Sequence, residues 1–211
     1  MKAIVIGATG AVGQDLVKTF LYDDRYETVT TFTRRPLGFT HPKIQSFIVD
    51  FNRPDTWHHL VQGDVLFSAL GTSLKQAGSK EAQYRVDHDY QLSFARAARE
   101  NGVPHMVLVS SVGADSSSRF FYLQLKGLIE KDVEALQFPS LTILRPPSLI
   151  RKHAKRPAET VSVKLLQLAS SLRLFKAMAP VPTESVARKM ADEGAHPSEG
   201  VKILSAQETR G

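Results

Sequence analysis

The strongest constraint on the fold is a glycine turn close to the start of the chain. The apolar run "KAIVI" at 2–6 leads into "GATGAVG", in which Gly7, Gly10 and Gly13 stand three residues apart, and an amphipathic stretch follows. A buried strand, a glycine turn and a helix in this order are typical of the first βαβ unit of a dinucleotide-binding sheet. The first glycine permits the turn, the second lets backbone approach a pyrophosphate, and the third lets helix pack on strand. A purely structural turn is the alternative.

The rest of the chain alternates short apolar runs with longer helical patterns. The predicted strands cover 2–6, 28–33, 44–49, 64–70, 105–111, 141–146 and 201–204. The predicted helices cover 11–22, 54–61, 81–101, 119–137, 161–174 and 183–194. Strands that are apolar on both faces and separated by helices predict an α/β fold, a doubly wound parallel sheet of the Rossmann type with helices on both faces. We interpret residues 1–211 as a single domain.

The composition excludes several classes of protein. There is no cysteine, so disulfides, thiolate zinc sites and cysteine nucleophiles are absent. The seven histidines form no metal-binding motif, and we predict no metal site. The apolar runs are far shorter than the roughly 20 residues of a membrane-spanning helix. Met1 and Lys2 lead straight into the first strand without a targeting pattern, so the sequence predicts a cytoplasmic protein.

The formal net charge of +6 is concentrated in one segment. Residues 145–176 hold eight basic side chains and one acidic one, which leaves the remainder of the chain close to neutral. A solvated basic face, an anionic small-molecule substrate, the phosphates of a cofactor and an acidic protein partner all fit this charge. Nucleic acid is not expected as a partner, because no recognised binding motif accompanies the basic residues.

The end of the second strand distinguishes between the two nicotinamide dinucleotides. An enzyme that binds NAD usually places an acid about 20 residues after the glycines, where it bonds the ribose 2′-hydroxyl. Here "TFTRRP" places Arg34 and Arg35 at that point, and no acid occupies 30–36. Two guanidinium groups suit a 2′-phosphate, so we predict NADP(H) over NAD(H). The alternative is an ordinary pair of surface arginines.

A tyrosine and a lysine lie one helical turn apart in "RFFYLQLKG", residues 119–127. Tyr122 and Lys126 share a helix face, and an ammonium close to a phenol favours the phenolate. A free tyrosine titrates near pH 10 and therefore needs such help to exchange protons at neutral pH. The alternatives are a core tyrosine among apolar neighbours, a lysine that snorkels to solvent, and serines at 110–111 that merely end a strand.

Six motifs occur together in the order of a known family. They are "GATGAVG", "VDF" at 49–51, "ALG" at 69–71, "VSSVGA" at 109–114, the Y-x-x-x-K pair and "LRPP" at 144–147. This ordered set resembles the extended and atypical short-chain dehydrogenases/reductases. The runs "SALGTSLKQAGS" and "VLVSSVGADSSSRFFYLQLKG" are similar to the Tat-interacting oxidoreductase-like group within them.

The resemblance implies a role for each matching residue. Ser111 would hold the substrate oxygen, Tyr122 would act as acid/base, and Lys126 would contact the nicotinamide ribose. The cofactor would be bound by Gly7, Thr9, Gly10, Ala11, Val12, Gly13, Arg34, Arg35, Asp50, Phe51, Ala69, Leu70, Gly71, Lys126, Pro146 and Ser148. Asp50 matches the residue that bonds the adenine amino group. Pro146 to Ser148 match the segment that borders the nicotinamide.

The resemblance also has departures, and it leaves two functions open. The chain is shorter than extended members, which reduces the substrate lobe to 147–195, and Asp87 stands where extended relatives often carry Asn. The main hypothesis is an NADP(H)-dependent oxidoreductase of small carbonyls or alcohols. The alternative is a non-catalytic protein that senses NADP(H) and binds a protein partner. Helix-on-helix dimers are common on this fold, so a homodimer is a further expectation by analogy.

Overall fold

The central sheet forms from the strands that the sequence predicts. The structure is a computed structural model that describes residues 1–150 and 179–210. The seven strands of the sheet are β1 Lys2–Ile6, β2 Thr28–Thr33, β3 Ile44–Ile48, β4 Val65–Ser68, β5 His105–Val109, β6 Ser140–Leu144 and β9 Gly200–Leu204. Two further strands, β7 Leu149–Ile150 and β8 Val181–Pro182, pair only with each other. The strands β3, β4, β5 and β6 end earlier than predicted, and the earlier ends of β4 and β5 place Ala69, Ser110 and Ser111 in the loops that follow.

The helices lie between the strands as a doubly wound sheet requires. They are α1 Ala11–Leu21, α2 Pro54–Trp57, α3 Leu74–Ala77, α4 Lys80–Tyr84, α5 Tyr90–Glu100, α6 Phe121–Glu134 and α7 Thr183–Ala195. The predicted helix at 81–101 is interrupted, because a π-helical turn at Arg85–Asp89 joins α4 to α5. Short 3₁₀ turns follow α2 and β9. The helix predicted at 161–174 and most of the basic segment 145–176 lie outside the described residues. No described helix is long and apolar enough to cross a bilayer.

Alternation along the strands creates a separate apolar layer on each face of the sheet. In β1, Ile4 and Ile6 pack toward α5 and α6, whereas Ala3 and Val5 pack toward α1 and α7. The first layer contains a parallel stack of Trp57 on Phe94, with ring centroids 3.8 Å apart. The central strands β1, β4, β5 and β6 are largely buried on both faces, as a parallel sheet between helices requires, whereas the edge strands β3 and β9 carry exposed side chains.

The order of the strands places the site. Within the sheet the order is β3-β2-β1-β4-β5-β6-β9, and every neighbouring pair is parallel. The direction in which the chain adds strands therefore reverses between β1 and β4. Ligands of doubly wound sheets bind outside the carboxyl ends of the strands at this reversal. The glycine turn follows β1 and the "ALG" segment follows β4, so both lie at that edge.

Candidate functional site

The glycine turn is built by close packing of backbone. Gly7 has φ +81°, and a Cβ at this position would overlap the backbone of Ala69. A Cβ on Gly13 would overlap the backbone of Gly7 and Ala8. The Gly10 amide donates to the Gly7 carbonyl at 2.8 Å and closes the turn. Gly7 and Gly13 are therefore required for β1, α1 and the loop after β4 to meet.

Helix α1 begins with unused hydrogen-bond donors. Gly10 is its N-cap, with no side-chain cap and no acid in the first turn. Within the described residues, the backbone amides of Ala11, Val12 and Gly13 have no hydrogen-bond acceptor. The Thr9 carbonyl accepts a hydrogen bond from the Gln14 side chain at 3.2 Å. Free amides and the positive end of the helix dipole suit the pyrophosphate of a dinucleotide.

The ends of β2 and β3 present charged groups at the same edge. Arg34 and Arg35 are exposed, and neither guanidinium has a partner within the described residues. Asp50 is exposed, and its Oδ1 accepts from the backbone amide and the side-chain amide of Asn52, each at 2.9 Å. These hydrogen bonds, the backbone one first, hold the pKa of Asp50 below its usual value. Phe51 is buried against Phe94, so its ring is part of the core and only its backbone can contact a ligand.

The loop after β4 reaches the lysine of α6. The Ala69 amide donates to the Ile6 carbonyl at 3.0 Å, which holds the start of this loop, with Leu70 next to it, beside β1. Gly71 is exposed, and a Cβ on it would lie 3.2 Å from Asp87 Oδ1 and 3.8 Å from Lys126 Nζ. Gly71 thus leaves the space in which a ligand at the end of β4 could contact Lys126.

Lys126 is buried in an ion pair. Lys126 is 4% exposed, and its Nζ lies 3.2 Å from Asp87 Oδ1. The same Nζ lies 5.9 Å from the centre of the Tyr122 ring, and Tyr122 is 43% exposed. Neither alternative interpretation of the pair agrees with this geometry, because Lys126 does not snorkel to solvent and Tyr122 is not a core residue.

Asp87 organises the surroundings of this lysine. It is 1% exposed, and its Oδ2 accepts from the Thr72 amide at 2.8 Å. Burial raises the pKa of Asp87, although Lys126 and the Thr72 amide act in the opposite direction. The Gln91 side chain donates to the Asp87 carbonyl, and Ser68 Oγ donates to Gln91 Oε1 at 2.6 Å. The sequence marked Asp87 only as a departure from a family, and nothing in its spacing indicated the ion pair.

The two serines after β5 differ in their surroundings. Ser111 is half-buried, and its hydroxyl donates to the Val112 carbonyl at 3.3 Å. Ser110 is buried, and its Oγ has no partner within the described residues. The described contacts bring Tyr122 and Gly71 to Lys126. The recorded partner of the Ser111 hydroxyl is the Val112 carbonyl, and a place for Ser111 beside Tyr122 stays a prediction.

The segment after β6 closes one side of the site. Pro146 is buried, and its carbonyl accepts from the Val112 amide at 3.0 Å. Ser148 is exposed, and its carbonyl accepts from the Val181 amide at 2.9 Å. This segment therefore adjoins the loop that carries Ser111. The predicted substrate lobe at 147–195 continues into 151–178, which lies outside the described residues.

Comparisons of the sequence with known proteins identify a family and several relatives. A family model described as NAD(P)H-binding matches residues 7–197. The protein HTATIP2 of Rattus norvegicus is 36% identical over 204 residues, which cover 94% of this chain and 83% of that protein. The mitochondrial protein FMP52 of Debaryomyces hansenii is 38% identical over 162 residues, covering 74% of this chain and 70% of that protein.

Solved structures support the fold. A structure of MoeE5 in complex with UDP-glucose and NAD superposes with a TM-score of 0.74 at 16% identity, covering 99% of this chain and 79% of that chain. The oxidoreductase ylbE of Lactococcus lactis gives a TM-score of 0.70 at 17% identity, covering 99% and 94%. The predicted Rossmann fold and the resemblance to the Tat-interacting group are thereby confirmed, and the family model matches the prediction of an NAD(P) cofactor without distinguishing NADP from NAD.

One prediction is wrong. The sequence predicted a cytoplasmic protein, but the relatives from several yeasts, including Debaryomyces hansenii and Eremothecium gossypii, are named as mitochondrial. The prediction rested on composition and on the absence of a recognisable leader, and neither of these determines where a folded protein of this kind resides.

Proposed function

The chain belongs to the NAD(P)H-binding family, and from that membership we propose that it is an NADP(H)-dependent oxidoreductase of the short-chain dehydrogenase/reductase type that acts on a small carbonyl or alcohol. One observation carries the proposal. The buried ammonium of Lys126 lies beside Gly71 at the carboxyl end of β4 and within 5.9 Å of the Tyr122 ring centre. A tyrosine, a lysine and the central strand thus meet at the edge where this fold binds its ligands.

The described residues fit the proposed cofactor. The amides of Ala11, Val12 and Gly13 would hold the pyrophosphate, and Arg34 with Arg35 would hold a 2′-phosphate. Asp50 keeps Oδ2 without a recorded partner in the described part of the chain, and this oxygen would accept from the adenine amino group. Lys126 would donate to the nicotinamide ribose. The nicotinamide supplies or accepts the hydride when the cofactor is bound.

The side chains of the site would handle the proton. In carbonyl reduction, the Tyr122 hydroxyl gives its proton to the substrate oxygen as the carbon gains a hydride, and in alcohol oxidation the phenolate takes that proton back. A hydroxyl from the loop after β5, which the resemblance assigns to Ser111, would hold the substrate oxygen toward Tyr122. General acid/base catalysis of this kind contributes about 10²–10⁴-fold in rate.

A second candidate is a sensor that binds NADP(H) and a protein partner without turnover. The names of the relatives HTATIP2 and FMP52 state no enzymatic activity and so are compatible with this candidate as well. The two candidates differ in whether a substrate reaches Tyr122, and they share the same cofactor site.

Turnover of NADPH with a panel of aldehydes, ketones and quinones tests the proposal. We expect at least one substrate class to be reduced, and we expect Tyr122→Phe to lower kcat more than tenfold because the proton donor is lost. Tyr22→Phe is the matched control, since Tyr22 is 90% exposed at the end of α1, away from the site, and should retain full activity. A loss of less than tenfold in Tyr122→Phe contradicts the assigned role. Tight NADPH binding without turnover on any substrate favours the sensor.

A further inference from the structure

Lys126 does not present a free charge to Tyr122, because Asp87 lies against it. We propose that Asp87 is a positioning residue that cancels most of the charge of Lys126, so that the Tyr122 hydroxyl keeps its proton to higher pH than it would beside an unpaired ammonium. The inference rests on the proposed function of the same site, and it adds that the site is adjusted for proton donation to a carbonyl.

The pair is fixed in place and shielded from water. The side chains of Lys126 and Asp87 are 5% and 1% exposed, and Nζ lies 3.2 Å from Oδ1. The second carboxylate oxygen accepts from the Thr72 amide at 2.8 Å. A buried carboxylate with two donors has little freedom to rotate away, so the lysine is held toward Gly71 and the end of β4.

The backbone at Asp87 is shaped for this contact. Asp87 lies in the π-helical turn Arg85–Asp89, and turns of this kind inside helices occur frequently at functional sites. The Gln91 side chain donates to the Asp87 carbonyl, and Ser68 Oγ at the end of β4 donates to Gln91. The turn is therefore tied to the same strand end at which the ligand is expected.

Asp87 is the negatively charged group that the described part of the chain places against the Lys126 ammonium. The π-turn contributes Asp87, the loop after β4 contributes the Thr72 amide and Gly71, and α5 contributes the neutral Gln91. On α6 itself, Tyr122 is the titratable group recorded near Lys126 among the described residues. An ammonium next to a carboxylate acts on a phenol as a dipole, whose field falls more steeply with distance than that of a single charge.

Removal of the carboxylate charge has a predictable effect on the pH profile. Carbonyl reduction needs the protonated phenol, so the rate falls as the pH rises through the ionisation of that group. Asp87→Asn keeps the shape of the side chain and an acceptor for the Thr72 amide, but it leaves the Lys126 charge uncancelled, which favours the phenolate. We expect the midpoint of the alkaline fall in kcat/KM to move down by roughly one pH unit.

A neighbouring carboxylate provides the matched control. Asp89 lies in the same π-turn, and its recorded side-chain partner is His88 rather than Lys126. Asp89→Asn removes an equal charge and should leave the midpoint where it is in the wild-type protein. An unchanged midpoint in Asp87→Asn, or an equal shift in both variants, overturns the proposal.

A titration that needs no turnover separates this inference from the proposed function. The tyrosinate absorbance of each protein is followed against pH, and the signal of Tyr122 is isolated by subtraction of the matching Tyr122→Phe protein. A lower midpoint in Asp87→Asn without any turnover supports the inference while the proposed function fails. If the protein turns over a substrate but the wild-type protein and Asp87→Asn have equal midpoints in the kinetic and the absorbance titrations, the proposed function is supported and the inference is overturned.

If Asp87→Asn does not fold, a double variant allows the same titration to test the proposal. The double variant Asp87→Asn/Lys126→Gln replaces the ion pair with a neutral pair of similar shape. If Asp87 cancels the lysine charge, the phenol titrates at nearly the same pH in the double variant and in the wild-type protein. A midpoint roughly one pH unit higher in the double variant shows that the lysine charge acted alone, and it overturns the proposal.

Discussion

Two exposed arginines at the end of β2 are the residues on which cofactor choice depends. Neither Arg34 nor Arg35 has a partner within the described residues, so both are available to an incoming anion. Hydrogen bonds to charged groups contribute about 1.5–3 kcal/mol each, which corresponds to tenfold or more in affinity. The double variant Arg34→Ala/Arg35→Ala should therefore weaken NADPH binding at least tenfold and change NADH binding by less than about threefold.

A fluorescence titration of both cofactors checks this prediction. Arg53→Ala is the control, because Arg53 is an exposed arginine that pairs with Asp55 after β3. It should leave the preference for NADPH intact. If the wild-type protein binds NADH as tightly as NADPH, the two arginines do not recognise a 2′-phosphate.

His105 makes the stability of the fold depend on pH. It is 2% exposed at the start of β5, and burial lowers its pKa from 6.5 to about 4. Because the folded state resists protonation, the neutral imidazole contributes stability that is fully present above pH 6.5 and is lost as the pH falls toward 4. The loss is about 3 kcal/mol at most.

Urea unfolding between pH 7 and pH 4 measures this contribution. The free energy of unfolding of the wild-type protein should fall more steeply over that range than that of His105→Gln, in which the titrating group is gone. Carboxylates titrate in both proteins, so the difference between them isolates His105. Parallel pH dependences would mean that His105 takes up its proton equally in the folded and unfolded states, so that burial does not lower its pKa.

At the scale of elements, periodicity and glycine spacing were sufficient to predict the sheet. β1 and β2 have the predicted bounds because runs of buried, β-branched residues are typical of strands in a parallel sheet. The helix predicted at 81–101 is instead interrupted by a π-turn. The sequence did not predict this turn, because one extra residue in a helical turn does not visibly change the hydrophobic pattern. Asp87 lies in that turn, and its ion pair with Lys126 joins residues 39 positions apart, a contact that sequence spacing does not encode.

The position of α6 depends on the absence of a side chain at Gly127. A Cβ at this residue would overlap the backbone of Ser116 and would lie 2.7 Å from Asp115 Cα. Gly→Ala inside a helix usually stabilises by about 1 kcal/mol, but here α6 would have to move away from the preceding loop. We expect Gly127→Ala to lower the free energy of unfolding by about 1–3 kcal/mol and to reduce turnover, because Lys126 and Tyr122 move with the helix.

Urea unfolding and an NADPH-linked assay of the same protein check this prediction. Lys131→Ala is the control, because Lys131 is exposed on the same helix and its change should alter neither quantity. An increase in stability in Gly127→Ala would show that the loop yields and that the contact does not position α6.

At the scale of the molecule, residues from both ends of the chain complete the sheet. β9 lies next to β6, and α7 packs on the face that α1 covers. The Tyr26 hydroxyl donates to the Ala191 carbonyl at 2.6 Å, which ties the loop before β2 to α7. The single domain at 1–211 stays a prediction, as does a homodimer. An anionic small-molecule substrate also stays a prediction, because most of the basic segment 145–176 lies outside the described residues.

A crystal structure of the protein with NADPH shows whether the cofactor and Tyr122 meet in one site. We expect the pyrophosphate at the amides of Ala11 to Gly13, the 2′-phosphate at Arg34 and Arg35, and the nicotinamide ribose within hydrogen-bonding distance of Lys126 Nζ. We also expect the Tyr122 hydroxyl and the nicotinamide C4 to face the same open cavity. A nicotinamide bound away from α6, or a Tyr122 hydroxyl that points away from the nicotinamide, would rule out Tyr122 as the acid/base of an NADP(H)-dependent oxidoreductase.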